Sequence, residues 1–260
     1  MNVMLLTDLE GIAGVTDIGF MDKSGESYAV ARQLLCHTIN LAVQTCFESG
    51  AENVYYVDGH AGGGNVIESL MDPRAQKCSL AEWRQLMQEG KIDCQLELGS
   101  HTRAGTTGGF LDHTISSTSW FSHRVNGMEM SELSMHALLC GTYGVPIAGC
   151  VGDEAACEQA KEYIPGIVTG AVKKAVCRNQ AIPCENADEI LVDTVRRALV
   201  QYPHIKPFGL SLPATVELTF CRTDMCEEAL QRCGDDVVRL DARTLQRKVD
   251  RITHYELLKF

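Results

Sequence analysis

The amino-acid sequence predicts an α/β fold, in which a mostly parallel, doubly wound sheet with flanking helices precedes a smaller α+β domain. Short apolar runs alternate with longer runs of helical spacing, which is typical of parallel strands joined by right-handed crossover helices. The 260 residues suffice for one large or two modest domains. Because residue types suited to metal binding or catalysis become rare after residue 170, we expect a larger domain over 1–170 and a smaller one over 171–260.

The predicted elements of the first part alternate regularly. Strands are predicted where short apolar runs end at glycine or polar residues, at 3–6, 54–57, 94–98 and 145–151. Helices are predicted where apolar residues recur at helical spacing, at 27–49, 80–89, 131–140 and 153–163. A further strand at 118–125 is followed by Asn126-Gly127, which is a strong hairpin signal.

The second part begins after Pro165 and Gly166 and is less regular. A strand-like run follows residue 167, and the chain then passes through a linker with three prolines. The predicted helices lie at 187–201 and 224–233, the predicted strands at 215–220 and 237–240, and a terminal helix closes the chain. We expect this part to support, cover or oligomerise the first.

The composition argues against several classes of protein. With a net charge of −11 and a pI near 5.2, the chain lacks the basic surface that nucleic acid or an anionic membrane attracts. No apolar run approaches the ~20 residues of a membrane-spanning helix, and the N-terminus lacks the features of a signal peptide. We therefore expect a cytoplasmic protein that binds neither nucleic acid nor membrane.

The twelve cysteines are scattered, and no Cys-x-x-Cys pair occurs. Several lie in apolar runs, where a thiol behaves as a small hydrophobic side chain. The sequence therefore favours reduced core cysteines over a disulfide framework, and it offers no structural zinc ribbon.

Two carboxylates follow the first strand. Asp8 and Glu10 are two residues apart, so on an extended backbone their side chains point the same way into one small volume. Two such charges repel unless a cation lies between them, and strand ends in open α/β sheets are where ligands collect. A divalent metal ion is the obvious candidate. The alternative is that Asp8 caps a helix and Glu10 is solvated.

Histidines follow two further strands. His60 and His101 each come directly after a predicted strand, so three segments carry metal-ligand residue types to the same edge of one sheet. That coincidence is more specific than any single residue. Imidazole and carboxylate ligands without thiolate suit zinc, with manganese or iron as rivals.

Glu132 opens the helix after the hairpin and could add a fifth ligand. Such a set would close a two-metal site in which one carboxylate bridges both ions. His136 lies one helical turn further on and competes for this place, although a partly buried helix histidine is the simpler interpretation. Because the chain contains no His-Glu-x-x-His, a one-helix metalloprotease site is excluded.

These residues resemble a known family, the zinc-dependent D-aminopeptidases of the bacterial dipeptide-permease type. The resemblance spans nearly the whole chain, and the order and spacing of its short pieces make it specific. In chain order the pieces are Asp8-Leu9-Glu10-Gly11, Asp58-Gly59-His60, Gly99-Ser100-His101-Thr102-Arg103-Ala104, His113, Asn126-Gly127, Ser131-Glu132-Leu133, Gly152-Asp153-Glu154, Tyr163-Ile164-Pro165 and Ala171-Val172-Lys173-Lys174.

The resemblance implies a function and a set of roles. Two zinc ions per subunit would be held by Asp8, which bridges them, and by Glu10, His60, His101 and Glu132, with His113 as the catalytic residue outside the metal shell. Residues 1–170 would then be the metal-binding catalytic domain. The substrate would be a short peptide with a D-amino acid, of the D-alanine type, at its N-terminus. The subunits would assemble into a ring-like homo-oligomer, a decamer.

The chain departs from the family pattern in two places. The segment from His101 to Glu132 is a residue or two longer, and a glycine run follows His60. His113 lies in a Gly-rich loop that can approach the substrate, where it would stabilise an oxyanion or pass a proton to the leaving amine. His123, in the next strand, is the alternative for that role.

Other functions remain open at this point. A two-metal phosphoesterase would use similar ligands with residues 59–64 as a phosphate-binding loop, although no P-loop or arginine cluster accompanies it. A non-catalytic oligomeric metal-binding protein is the other alternative. Serine hydrolysis is disfavoured, because no Gly-x-Ser-x-Gly elbow occurs.

Overall fold

The computed structural model describes residues 1–260 and contains two sheets. The strands are β1 (Asn2–Thr7), β2 (Asn53–Asp58), β3 (Gln76–Cys78), β4 (Cys94–Ser100), β5 (Trp120–Val125), β6 (Met128–Glu129), β7 (Ile147–Asp153), β8 (Val168–Cys177), β9 (Gln180–Pro183), β10 (Ala214–Phe220), β11 (Val237–Arg239) and β12 (Thr244–Val249). The α-helices are α1 (Glu26–Glu48), α2 (Leu80–Gln88), α3 (Glu132–Thr142), α4 (Glu154–Tyr163), α5 (Ala187–Gln201) and α6 (Thr223–Arg232).

The first sheet has the strand order β3-β2-β1-β4-β7-β8-β9. All its strands run parallel except β9, which pairs antiparallel with β8 at the edge. The order reverses at β1, whose neighbours β2 and β4 lie on either side, and such a switch point leaves a crevice at the carboxyl ends of the strands. The predicted α/β class with a mostly parallel sheet is confirmed.

Helices cover both faces of this sheet. Trp83 of α2 and Cys140 of α3 contact Gln95 on one face of β4. On the opposite face, a Cβ at Gly149 of β7 would touch Ala198 of α5, and α5 packs on α1. This two-sided cover explains why β4 is buried along its whole length and β1 along all but its first residue.

The second sheet is antiparallel, with the order β11-β12-β10-β5-β6. The predicted hairpin is confirmed: β5 and β6 pair across Asn126 and Gly127, whose φ angles of +51° and +80° fit a two-residue turn. One large core connects both sheets, and a smaller cluster packs β10 and β12 on α6.

The predicted terminal helix is wrong. Residues 244–249 form β12, which pairs with β10, and only a 3₁₀ turn follows at Tyr255–Leu258. Leu245 and Val249 are the buried residues of β12. Their spacing of four fits one face of a helix as well as one face of a strand, and the pairing with β10 decides for the strand.

The two sheets divide the chain differently from the boundary predicted at residue 170. That position falls inside β8, which belongs to the first sheet together with β9. The second sheet takes β5 and β6 from the middle of the chain and β10–β12 from its end. None of the helices combines the length and hydropathy that a membrane-spanning helix needs.

Candidate metal centre

Three adjacent strands deliver the predicted ligands to one place. Asp8 and Glu10 follow β1, His60 follows β2 and His101 follows β4, at the carboxyl edge of the first sheet. Glu132 reaches the same place from the first turn of α3, which Ser131 caps. The structure therefore brings together all five residues that the sequence singled out as ligands.

Two glycines allow the loops after β1 and β4 to touch. Gly99 has a φ of +79°, and a Cβ there would lie 2.1 Å from the carbonyl oxygen of Asp8. A Cβ on Gly11 would lie 2.2 Å from the carbonyl oxygen of Ser100, and the amide of Gly11 donates to the carbonyl of Gly99 at 2.7 Å. Only glycine permits this approach, which sets Asp8 and Glu10 beside His101.

His60 lies between the two carboxylates that follow β1. Its Nδ1 is 3.1 Å from Oδ1 of Asp8 and 2.9 Å from Oε2 of Glu10. Single donor atoms of these three residues lie within 4.8 Å of one another. The group is largely buried, and its donor set suits a divalent cation.

His101 and Glu132 form a second group with Asp8. His101 directs Nε2 to within 3.2 Å of Oδ2 of Asp8 and 3.4 Å of Oε1 of Glu132. Its Nδ1 lies 2.9 Å from the carbonyl oxygen of Thr102, so in the neutral ring Nδ1 carries the proton and Nε2 presents its lone pair. Nε2 is fully buried and forms no hydrogen bond. A buried acceptor in this position fits a metal ligand.

His113 lies against both groups. Its ring stacks on that of His101 with centroids 4.0 Å apart, and its Nε2 is 3.6 Å from Oε1 of Glu132 and 3.8 Å from Oε1 of Glu10. The Nδ1 atom, 2.8 Å from the carbonyl oxygen of Leu111, fixes the ring. His113 also completes a third compact group with Glu10 and His101, so it lies within reach of anything held there.

The electrostatics of the centre favour bound cations. Burial would raise the pKa of Asp8, but the neighbouring imidazoles of His101 and His60 hold it well below its usual range. Burial disfavours protonation of His60, but the carboxylates of Asp8 and Glu10 outweigh it and raise the pKa of His60 to about 11. Burial would also raise the pKa of Glu132, but the neighbouring His101 lowers it to about 2. Three carboxylates thus draw protons onto neighbouring imidazoles, and metal ions can take the place of those protons.

The centre opens into a cavity of about 570 Å³. Its walls combine the groups described above with apolar side chains, including Ile18, Met21, Leu111 and Ile115. Apolar walls with a few convergent polar groups are typical of a small-molecule site. Tyr255, from the segment predicted as a terminal helix, also lines the cavity.

His136 does not share the place of Glu132. It is buried, and its Nδ1 lies 3.3 Å from Oε2 of Glu97. Gln95 donates to the other oxygen of Glu97 and accepts from the indole N–H of Trp83. Glu97 and His136 line the cavity, but neither belongs to a metal-binding group. The sequence signal for Glu97 was a lone acid within the apolar strand 94–98, which we had not singled out.

His123, the alternative to His113, lies in the second sheet and does not line the cavity. It is buried, its Nε2 lies 2.7 Å from the carbonyl oxygen of Leu258, and it stacks on Trp120. Burial lowers its pKa to about 4, so this imidazole is neutral. Its environment is that of a structural histidine.

Compact groups of carboxylate and imidazole donors thus lie at the switch point of a doubly wound sheet, where they could hold divalent metal ions as in a metallohydrolase. The chain belongs to the D-aminopeptidase family, peptidase family M55, whose model matches residues 1–260. It is 30% identical over 243 residues to a D-aminopeptidase of Bacillus subtilis (strain 168), a match that covers 91% of this chain and 88% of that protein.

The fold is also similar to that of a solved structure. The Zn-dependent D-aminopeptidase DppA from Bacillus subtilis, described as a self-compartmentalizing protease, superposes with a TM-score of 0.90 at 22% sequence identity. The similarity covers 99% of this chain and 95% of that one. The resemblance noted in the sequence is thus confirmed at the level of family and fold.

Proposed function

We propose that this chain is a zinc-dependent aminopeptidase that hydrolyses the N-terminal amide bond of short peptides with a D-amino acid at the N-terminus. The observation that carries the proposal is the convergence of three carboxylates and three imidazoles on one cavity, in a chain that the D-aminopeptidase family model matches throughout. Zinc dependence, which is stated of the Bacillus subtilis protein, suits this oxygen and nitrogen donor set.

Two zinc ions are the occupants that we propose for the five ligands. Glu10 and His60 would hold one ion and His101 and Glu132 the other. Asp8 would bridge them, because it belongs both to the group with Glu10 and His60 and to the group with His101 and Glu132. Five such ligands are too many for one tetrahedral ion. The unpaired, buried Nε2 of His101 supports the assignment.

Zinc ions held by these residues would supply Lewis acidity and an activated water, and the remaining steps would fall to side chains. His113 is fixed by the carbonyl of Leu111 and directs Nε2 into the cavity beside Glu10 and Glu132. It is placed to stabilise the oxyanion or to pass a proton to the leaving amine. Glu10, as a ligand, is not free to act as the general base.

We also propose that the subunit assembles into a ring-like homo-oligomer, of which a decamer is the expected form. The self-compartmentalizing description of the protein from Bacillus subtilis supports assembly. Closed rings are symmetric and leave no free interface. Light scattering at micromolar concentration should give a multiple of the 28.5 kDa subunit mass, and a monomer mass would contradict assembly.

The test of function is a substrate screen with the metal content measured on the same sample. We expect the zinc-loaded protein to hydrolyse D-alanyl amides and dipeptides with an N-terminal D-residue faster than their L-counterparts, and to lose activity on chelation. Hydrolysis of phosphoesters in place of amides would make the chain a phosphoesterase. The absence of any hydrolysis, with unchanged stability after metal removal, would make it a binding protein.

A further inference from the structure

Lys173 is a fully buried lysine that neither the ligand set nor the cavity includes. It lies on β8, directly opposite Asp153 at the end of β7, and Asp153 is fully buried as well. Lysine and aspartate are almost never fully buried unless specific partners compensate them. These two positions also carry the Gly152-Asp153-Glu154 and Ala171-to-Lys174 motifs, to which no role has yet been assigned.

The partners of Lys173 belong to the loop that carries the metal ligands. Its Nζ donates hydrogen bonds to the backbone carbonyl oxygens of Glu10 and Val15. Burial lowers the pKa of Lys173 to about 7, but the ammonium and the neutral amine both have the two N–H groups that these bonds need. Lys173 therefore ties both ends of residues 10–15 to β8, and so fixes the backbone from which Glu10 projects.

The partner of Asp153 belongs to the loop that carries His113. Oδ2 of Asp153 accepts the backbone N–H of Phe110 at 3.1 Å. Phe110 is completely buried and lies three residues before His113. The next residue, Leu111, supplies the carbonyl that fixes the imidazole of His113 and has a φ of +49°, a region that leucine seldom adopts. The anchor on Phe110 thus precedes the turn that orients His113.

Phe110 connects the two buried groups. The Nζ atom of Lys173 lies 4.5 Å from the centroid of the Phe110 ring, while the backbone of Phe110 is held by Asp153. Lys173 and Asp153 form no hydrogen bond or ion pair with each other, so each reaches away from the other, toward one of the two loops. Glu10 and His113, at the ends of these loops, approach to 3.8 Å.

We propose that Lys173 and Asp153 are positioning residues for the active site, with Lys173 setting the metal ligand Glu10 and Asp153 setting the loop that orients His113. The inference rests on the proposed function for the roles of Glu10 and His113, but the contacts of Lys173 and Asp153 do not depend on which substrate is bound. It predicts that the two residues act on different quantities: Lys173 on zinc affinity, and Asp153 on kcat.

The first comparison is Lys173→Met against Lys174→Met. Lys174, the next residue along β8, is the matched control, because its own side chain is exposed and pairs only with Glu154 at the surface. Zinc affinity, measured by competition with a chelator in the absence of substrate, should fall about 10–100-fold for Lys173→Met, the range for residues that orient metal ligands. Lys174→Met should match the wild type. Equal affinities in the two folded variants would overturn the role of Lys173.

The second comparison is Asp153→Ala against Asp153→Asn, at saturating zinc. Asn keeps an acceptor for the N–H of Phe110, whereas Ala removes it. We expect Asp153→Ala to lose about tenfold or more in kcat with KM and zinc affinity nearly unchanged, and Asp153→Asn to recover most of that loss. Equal kcat values in the two variants would overturn the role of Asp153.

A purely structural role is distinguished by the thermal melt. If both Lys173→Met and Asp153→Ala lower Tm but keep wild-type zinc affinity and kcat at 20 °C, the proposal is wrong. If Lys173→Met does not fold, the comparison of Asp153→Ala with Asp153→Asn still tests the positioning role of Asp153. A wild type that binds zinc but cleaves no D-aminoacyl bond would refute the proposed function, while the chelator titration would still decide the role of Lys173.

Discussion

His113 and His123 are two histidines in different regions of the molecule, and the sequence alone left both as candidates for the catalytic role. His113 lies in the loop between β4 and β5 with Nε2 facing two carboxylates of the metal centre. His123 lies within β5, where the only hydrogen-bond partner of its ring is the carbonyl of Leu258. The first histidine faces a cavity, and the second joins the C-terminal segment to the second sheet.

The comparison shows that the carboxylates around an imidazole, and not burial alone, distinguish the two environments. Both rings are largely buried. At the metal centre, carboxylates surround every imidazole and the pKa values of His60 and His101 rise. In the second sheet no carboxylate offsets the cost of burial, and the pKa of His123 falls to about 4. The predictions below test this contrast in order of their effect on turnover.

The largest effect is expected for Asp8→Ala. Because Asp8 belongs to the group with Glu10 and His60 and to the group with His101 and Glu132, its loss should release both proposed zinc ions and reduce activity below detection. Elemental analysis and an assay on the same sample measure this, with Asp17→Ala as the control, since Asp17 is exposed and only caps a 3₁₀ turn. An Asp8→Ala protein that keeps its zinc would contradict the bridging role.

His113→Ala should separate chemistry from metal binding. We expect zinc content and fold to be retained, KM to change only a few-fold, and kcat to fall about 10²–10⁴-fold, as for a lost acid–base or oxyanion partner. His101→Ala should instead lose zinc. If His113→Ala loses zinc too, His113 is a ligand, and the compact group that it forms with Glu10 and His101 is the relevant one.

Gly99→Ala tests the contact between the loops after β1 and β4. Its Cβ would collide with the carbonyl of Asp8, whereas a Cβ on Gly105, at nearly the same φ of +80°, would meet nothing. Gly105→Ala therefore controls for the cost of the backbone angle alone. We expect Gly99→Ala to be destabilised by about 1–3 kcal/mol more than the control, and to bind zinc more weakly. Equal denaturation midpoints would show that the close approach is dispensable.

The smallest effect on turnover is expected for His123→Gln, which should keep kcat near the wild-type value. The change should appear in the pH dependence of stability. A folded pKa of about 4, below the unfolded value near 6.5, means that the unfolded chain binds the extra proton. The contribution of His123 is therefore fully present above pH 6.5 and is lost as the pH falls toward 4.

The magnitude is roughly 2–3 kcal/mol over that window. Urea unfolding of the chelator-treated proteins at pH 7 and pH 4.5 measures it without interference from zinc release. We expect the stability of the wild type to fall by more than that of His123→Gln. Parallel pH profiles would show that His123 titrates normally and is not buried as described.

Local patterns made much of the molecule predictable. The apolar runs before Asp8, His60 and His101 predict three strands. Because parallel strands place their carboxyl ends together, they also predict that these residues meet at one edge of the sheet. Most helices lie within a residue or two of the predicted bounds. The positions that we propose as ligands followed from this local information and from the family resemblance.

Features that depend on distant contacts could not be predicted. Pairing of β5 with β10 places the hairpin in the second sheet, which no local pattern specifies. The two buried residues of β12, Leu245 and Val249, are four apart, a spacing that also fits a helix, so only the pairing with β10 decides their structure. Lysine is usually exposed, and the burial of Lys173 depends on carbonyls of a loop more than 150 residues away in sequence. Glu97 and His136 likewise meet only in the fold.

Anomalous diffraction at the zinc absorption edge, from crystals of the zinc-loaded protein, tests the central claim most directly. The account predicts two peaks about 3.5–4 Å apart. Asp8 should contact both ions, Glu10 and His60 one, and His101 and Glu132 the other, while the nitrogens of His113 should lie beyond bonding distance. A single peak, or a peak bonded to His113, would contradict the assignment of two zinc ions and of a catalytic histidine outside their ligand shell.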